Sequence, residues 1–273
     1  MPVTRAAPRV YYEDHGAGEP LLAIPGFGSS SAVFEPIVAA SGGGLRWITC
    51  DLPASGRSSK RALVCTTGGL ALSATRVLDE LGLETAHIAG ASLGGAIALQ
   101  AALRVPHRVR SLILMATTAA GPLGRRLDPR ELLAVTARVA SGSLRRRRPW
   151  LAPAIFSPDF LAREPDRTNA LLRLVSAHPP TPWGLAGQYV AAARHDVASD
   201  LDRISVPTLI LHAERDVLVP VANAEQLARG VADSELHIFP DSGHAFGLEH
   251  PATTASIIRD WVQRHPVAGT PPP

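Results

Sequence analysis

Gly90-Ala91-Ser92-Leu93-Gly94-Gly95 stands between two runs of different character. Before it, Ala86-His87-Ile88-Ala89 is short and apolar, as in a buried strand; after it, the Ala/Leu-rich run from Ala96 to Leu103 favours a helix. The stretch therefore reads as a strand-to-helix turn with a serine at its tip, in the pattern G-x-S-x-G. So sharp a turn strains the serine backbone, and the residues two before and two after it have no room for a Cβ that would collide across the turn. Gly90 and Gly94 meet that demand. The pattern alone also fits an ordinary glycine-rich turn, but the flanking strand and helix make Ser92 a candidate nucleophile.

The same rhythm extends in both directions. Arg9–His15 and Leu21–Ile24 read as strands, the second ending in Pro25-Gly26-Phe27-Gly28, and residues 32–40 read as a helix. The glycines there let the backbone turn so that the N–H of Phe27 can face a developing oxyanion. Leu45–Cys50 is a further strand, running into Asp51-Leu52-Pro53-Ala54-Ser55-Gly56-Arg57-Ser58, where Asp51 is placed to accept backbone N–H groups of its own turn. A helix is expected over 66–81, a strand over 109–115, a strand at Pro207–His212, a helix over 223–230, a strand at Glu235–Phe239 and a closing helix over 251–264. Between about 121 and 203 the alternation stops. That segment is helical, arginine-rich and broken by prolines, and reads as an inserted cap. Its large apolar residues, among them Trp150, Phe156, Phe160, Leu171, Leu172, Leu174, Trp183 and Tyr189, either pack on the core or line a pocket beneath it. The expected fold class is α/β, a mostly parallel central sheet flanked by helices. Its core comprises residues 1–117 and 204–273, with the cap at 118–203.

Bulk properties narrow the function classes. A chain of 273 residues that is 46% hydrophobic can bury a large core. No apolar run approaches the roughly 20 residues of a membrane span, and residues 1–10 lack the apolar segment of a secretory signal, which points to the cytoplasm. Cys50 and Cys65 are too few for a disulfide framework and are expected as reduced thiols. The two cysteines give no reason to expect a metal site; the net charge of +3 comes largely from local arginines, above all 145–148, and aromatics make up only 5% of the chain, so a nucleic-acid surface is not expected either. The richness in Ala, Arg and Pro gives the compositional impression of a GC-rich bacterial genome.

A serine hydroxyl is a poor nucleophile at neutral pH and needs a base, which in turn needs an orienting group. Among ten histidines, His244 sits in a loop after the last strand, next to Gly243, where a parallel sheet presents its strand ends. His87 lies inside a strand, His107 and His250 lie beside prolines at helix boundaries, and His178 and His195 lie in the cap. Asp216 follows the second-last strand at the same sheet edge and is the candidate orienting acid, with Glu214 and Asp241 as rivals. Met115-Ala116-Thr117-Thr118, after the preceding strand, offers no carboxylate.

These motifs, in this order, resemble the α/β-hydrolase superfamily over nearly the whole chain, in particular its compact, capped bacterial esterases, lactonases and haloperoxidase-like members. Pro25-Gly26-Phe27-Gly28 matches the oxyanion turn, Asp51–Ser58 resembles the D-x-P-x-x-G-x-S stretch, and Ser92, Val206-Pro207-Thr208-Leu209, Asp216 and Gly243-His244 fall in sequence. Two departures stand out: Pro25 replaces the usual histidine before Gly26, and Ala91 replaces the usual histidine before the serine. The resemblance implies acyl transfer through Ser92, His244 and Asp216, with the backbone N–H groups of Phe27 and Leu93 as oxyanion donors, a small-molecule ester or lactone as substrate and no metal or organic cofactor. The same framework serves carbon-carbon hydrolases, lyases, dehydratases and cyclases. It also serves thioesterases, for which the arginines at 125, 126, 130 and 145–148 suggest an acidic carrier partner, and ligand receptors. A serine where dehalogenases carry aspartate disfavours that chemistry.

Overall fold

The computed structural model describes residues 2–120 and 148–267, with the backbone alone at 148–150. Their strands are β1 (Tyr12–Gly16), β2 (Gly18–Ile24), β3 (Gly44–Cys50), β4 (Ala86–Ala91), β5 (Val109–Met115), β6 (Thr208–Ala213) and β7 (Ser234–Phe239). They form one sheet in the order β1-β3-β2-β4-β5-β6-β7. Only β1, at the edge, runs antiparallel to its neighbour. β4, which carries the Gly90–Gly95 stretch at its end, lies in the middle, paired with β2 and β5.

Side chains alternate across this sheet as strand geometry requires. Leu22, Ile24, Ile88, Leu112, Leu114 and Ile210 face one side, together with α2 (Thr67–Glu80), α3 (Leu93–Arg104) and α8 (Ala222–Gly230). Leu21, Ala23, Ala89, Ile113, Leu209 and Leu211 face the other, against α1 (Glu35–Ala40) and α10 (Pro251–Arg264). With helices on both faces, the inner strands are buried almost throughout, which is why they read as continuous apolar runs. Between β5 and β6 lie α4 (Arg148–Ile155), α5 (Pro158–Arg163), α6 (Pro165–Val175) and α7 (Pro182–Ala193), and α9 (Phe246–Glu249) precedes α10.

The expected helix over 32–40 is two pieces, a 3₁₀ turn at Ser31–Phe34 followed by α1. Pro36 has no N–H to continue an α ladder back through the turn. The first strand starts later than expected because the Tyr11 N–H is taken by Ser58 Oγ (2.8 Å) rather than by a sheet neighbour.

Two buried histidines set an acid limit on stability. His87 Nδ1 is 2.7 Å from Ser111 Oγ, which also accepts from Trp261 Nε1. Burial pushes its pKa down to about 3, aided by Arg110 and His265. Burial likewise pushes His195 down to about 4. In each case the unfolded chain takes up a proton that the folded chain refuses. Their contribution is complete above about pH 6.5 and is lost as pH falls through 6.5 toward 4 and below. Each histidine is expected to steepen the loss by roughly 1.4 kcal/mol per pH unit in that window. Urea midpoints from pH 7 to 4 check this, with His87→Gln expected to shallow the slope by about one proton.

Candidate active site

Ser92 adopts φ 53° and ψ −118°, a conformation that side chains rarely take, at the junction of β4 and α3. Several backbone groups hold it there: its N–H donates to Met115 O (2.8 Å), and its carbonyl accepts from the Gly95 N–H (2.9 Å) and Thr117 Oγ1 (2.7 Å). A Cβ at Gly90 would overlap the Gly94 carbonyl across the turn, as the sequence reading expects. A Cβ at Gly94 would instead strike the Ile24 carbonyl, so this glycine lets α3 approach the end of β2. Gly95 is a third obligatory position, since a Cβ there would overlap the Thr117 side chain. Its signal was present as the doubled glycine, but its constraint comes from a loop far along the chain.

Asp216 and His244 leave the ends of β6 and β7 at the same sheet edge. Asp216 Oδ2 and His244 Nδ1 are 2.7 Å apart, and the carboxylate is fully buried. The other oxygen, Oδ1, accepts the N–H groups of Leu218 (2.9 Å) and Val219 (2.8 Å), which fixes the plane of the carboxylate. His212, not singled out from the sequence, donates from Nε2 to Val219 O (2.8 Å) and lies 3.5 Å from Asp216 Oδ2. Burial lowers its pKa, keeping it a neutral brace of the same turn. The rivals for Asp216 lie outside this arrangement: Glu214 is exposed and accepts the Asp241 N–H (3.1 Å), and Asp241 pairs with Arg215.

The loop after β2 lies against the serine turn, with Gly26 so close that a Cβ would come within 3.2 Å of Ala91 O and 3.3 Å of Ser92 Cβ. Among the described residues the N–H groups of Phe27 and Leu93 donate to no protein acceptor. Asp51 anchors the loop from below. Its Oδ1 accepts from Ser31 N and Oγ (both 2.8 Å), and its Oδ2 accepts from Arg57 N (2.6 Å). It therefore ties two loops together, a wider role than bonding within its own turn.

Two cavities of about 240 Å³ each open beside Ser92. The first holds His244 and is walled by Val33, Phe34, Ile37, Leu151, Ile155 and Val175. The second is walled by Ala96, Thr117, Thr118, Tyr189, Ala192 and His195. Phe27, Ser92 and Leu218 border both. No hydrogen bond joins Ser92 to His244 among the described residues, and such contacts commonly tighten only when substrate binds. Phe156, Phe160, Leu171 and Leu172 line neither cavity but pack in one cluster with Ile155 and Leu248, which do line the first, and half-exposed Trp183 donates to Lys60 O (2.6 Å).

Glu249 is a functional-region residue the sequence reading missed. Its buried carboxylate accepts from Ser157 N (2.9 Å) and Oγ (2.8 Å) in the insertion and from Gly243 N (3.0 Å) beside His244. Arginines 125, 126, 130 and 145–147 lie outside the described residues, as does the side chain of Arg148. No group of three or more candidate metal ligands, and no helix long and apolar enough to cross a membrane, occurs among the described residues. Cys50 and Cys65 are free thiols.

The chain is similar to known proteins over most of its length. It is 31% identical over 247 residues to a poly(3-hydroxyalkanoate) depolymerase of Ectopseudomonas oleovorans, covering 90% of this chain and 84% of that protein. It is 28% identical to a 2-hydroxy-6-oxononadienedioate/2-hydroxy-6-oxononatrienedioate hydrolase of Paraburkholderia phymatum, covering 93% and 91%. The structure of a thermophilic esterase from Thermogutta terrifontis superposes with a TM-score of 0.85 at 25% identity, covering 97% of each chain. A family model for the alpha/beta hydrolase fold matches residues 19–251, and the chain belongs to that family.

Proposed function

We propose that the protein is a serine hydrolase that cleaves an uncharged carboxylic ester or lactone through an acyl-enzyme. The His244–Asp216 hydrogen bond of 2.7 Å, on a cavity wall shared with Ser92, carries this reading. With Asp216 accepting from Nδ1–H, His244 presents a bare Nε2 to the substrate side. It takes the Ser92 proton as Oγ attacks the carbonyl carbon, and the oxyanion accepts from the N–H groups of Phe27 and Leu93. Collapse of the intermediate expels the alcohol, which receives the proton from His244. A water then attacks the acyl-enzyme by the same route, returning Ser92 and releasing the acid. The helices between β5 and β6 serve as the cap over this site.

The walls favour an uncharged substrate. The described walls of the first cavity are largely apolar, Val33, Phe34, Ile37, Leu151, Ile155 and Val175 among them, so a carboxylate set against these side chains would lose its hydration. The structural neighbour named as an esterase supports ester cleavage. Carbon-carbon cleavage of a dicarboxylate is the weaker alternative on that ground.

A fluorophosphonate probe followed by peptide mass spectrometry is expected to label Ser92; an unlabelled Ser92 in folded protein refutes the nucleophile. Among p-nitrophenyl esters, butyrate to octanoate are expected to exceed the half-ester of succinate in kcat/KM by about tenfold or more, the value of roughly 1.4 kcal/mol of unpaid desolvation. Preference for the anionic ester refutes the substrate class.

A further inference from the structure

α7 is mostly apolar, and its buried polar side chain is Gln188, in the stretch Gly187-Gln188-Tyr189-Val190. Gln188 is 1% exposed. Its Oε1 accepts the Gly28 N–H (2.9 Å), and its Nε2 donates to Ser55 Oγ (2.7 Å). The amide orientation is forced, because a backbone N–H can only donate. Thr181, Gly184, Leu185 and Gln188 share one face of α7 at the i, i+3, i+4, i+7 spacing. The Thr181 N–H donates to Ala54 O (2.8 Å), Gly184 leaves no room for a Cβ over the same carbonyl, and Leu185 packs over Gly28. One helix face is thus docked on both the Gly26–Ser31 loop and the Asp51–Ser58 turn.

Gly28 has φ +72° and directly follows Phe27. Its N–H belongs to the peptide plane that follows the Phe27 Cα, so bonding it restrains the adjoining plane that carries the Phe27 N–H. Asp51 restrains the same loop at Ser31, three residues further on. We propose that Gln188 is a positioning residue that aims the Phe27 N–H at the oxyanion, so that correct seating of α7 is a condition of transition-state stabilisation. The proposal rests on the reading of Ser92 and the Phe27 N–H given above.

The test compares Gln188→Met, of similar length and unbranched, with Gln188→Glu, which keeps the acceptor for Gly28 and can accept a hydrogen bond from the Ser55 hydroxyl. With p-nitrophenyl butyrate, the methionine variant is expected to lose about 10- to 100-fold in kcat with KM within about threefold, less than the loss of an oxyanion donor itself. The glutamate variant is expected to recover most of that loss, and fluorophosphonate labelling of Ser92 should slow in parallel with kcat. Wild-type kcat in Gln188→Met, or equal loss in both folded variants, overturns the proposal. If Gln188→Met fails to fold, Ser55→Ala carries the test: a fall in kcat of threefold or more at unchanged KM supports it and an unchanged kcat overturns it. Absence of labelling in the wild-type protein would instead refute the assignment of Ser92, so the two failures are distinguishable.

Discussion

Ser92→Ala is expected to reduce kcat for p-nitrophenyl butyrate by about 10⁴- to 10⁶-fold, the range seen when a serine nucleophile is removed from a unit of this kind. Folding should be nearly untouched. The bonds that hold the turn use the backbone N–H and carbonyl of residue 92, and alanine retains both. The substitution deletes one hydroxyl that makes no hydrogen bond to the protein among the described residues, and alanine meets the same strain at φ 53° that serine does. A thermal midpoint within about 2 °C of wild type, measured beside the residual rate, is the expected pair of results. A folded variant that retains wild-type turnover would eliminate Ser92 as the nucleophile.

Asp216→Asn is expected to be nearly as damaging, by about 10⁴-fold in kcat, through a different cause. In the native arrangement Oδ1 serves the turn and Oδ2 serves His244 Nδ1. The two N–H groups from Leu218 and Val219 require an acceptor, so asparagine keeps its oxygen there and turns its NH₂ toward the histidine. Two donors then face each other. The imidazole relieves this by moving its proton to Nε2, the nitrogen that has to be bare to accept the Ser92 proton. The turn itself survives, so the stability loss should remain near 1–2 kcal/mol. Rate measurements at saturating substrate, with circular dichroism as the fold check, decide the matter. A loss below tenfold would show that another group orients His244.

The elements most legible in the sequence were those whose constraint is local. Strand periods placed β2 to β6 because burial on both faces imposes apolar runs of characteristic length, and the helical period placed α10 by its one buried face. Ser92, Asp216 and His244 were traceable because each follows a strand end, and a parallel sheet gathers strand ends at one edge. Constraints exerted by distant backbone were not traceable. Gln188 and Glu249 look like ordinary helix residues until their partners are known, and those partners are amide groups 160 and 92 positions away. The cavity walls were equally opaque. Leu151, Ile155 and Val175 line the first cavity while Phe160 and Leu171, packed in the same apolar cluster, do not, yet nothing in their composition separates the two sets.

The Glu249 carboxylate sets the unit in which this enzyme can be rebuilt. Together with the Ala245 N–H to Ile155 O bond (2.7 Å) and the Arg167 contact to Leu248 O (2.9 Å), it joins α4 to α6 to the chain segment that carries His244. A chimera that imports foreign helices at 148–175 while keeping the native 243–249 segment would leave a buried anion without its donors. The two segments are separate in sequence but form one transplantable part, and substrate range is best re-engineered by exchanging them together.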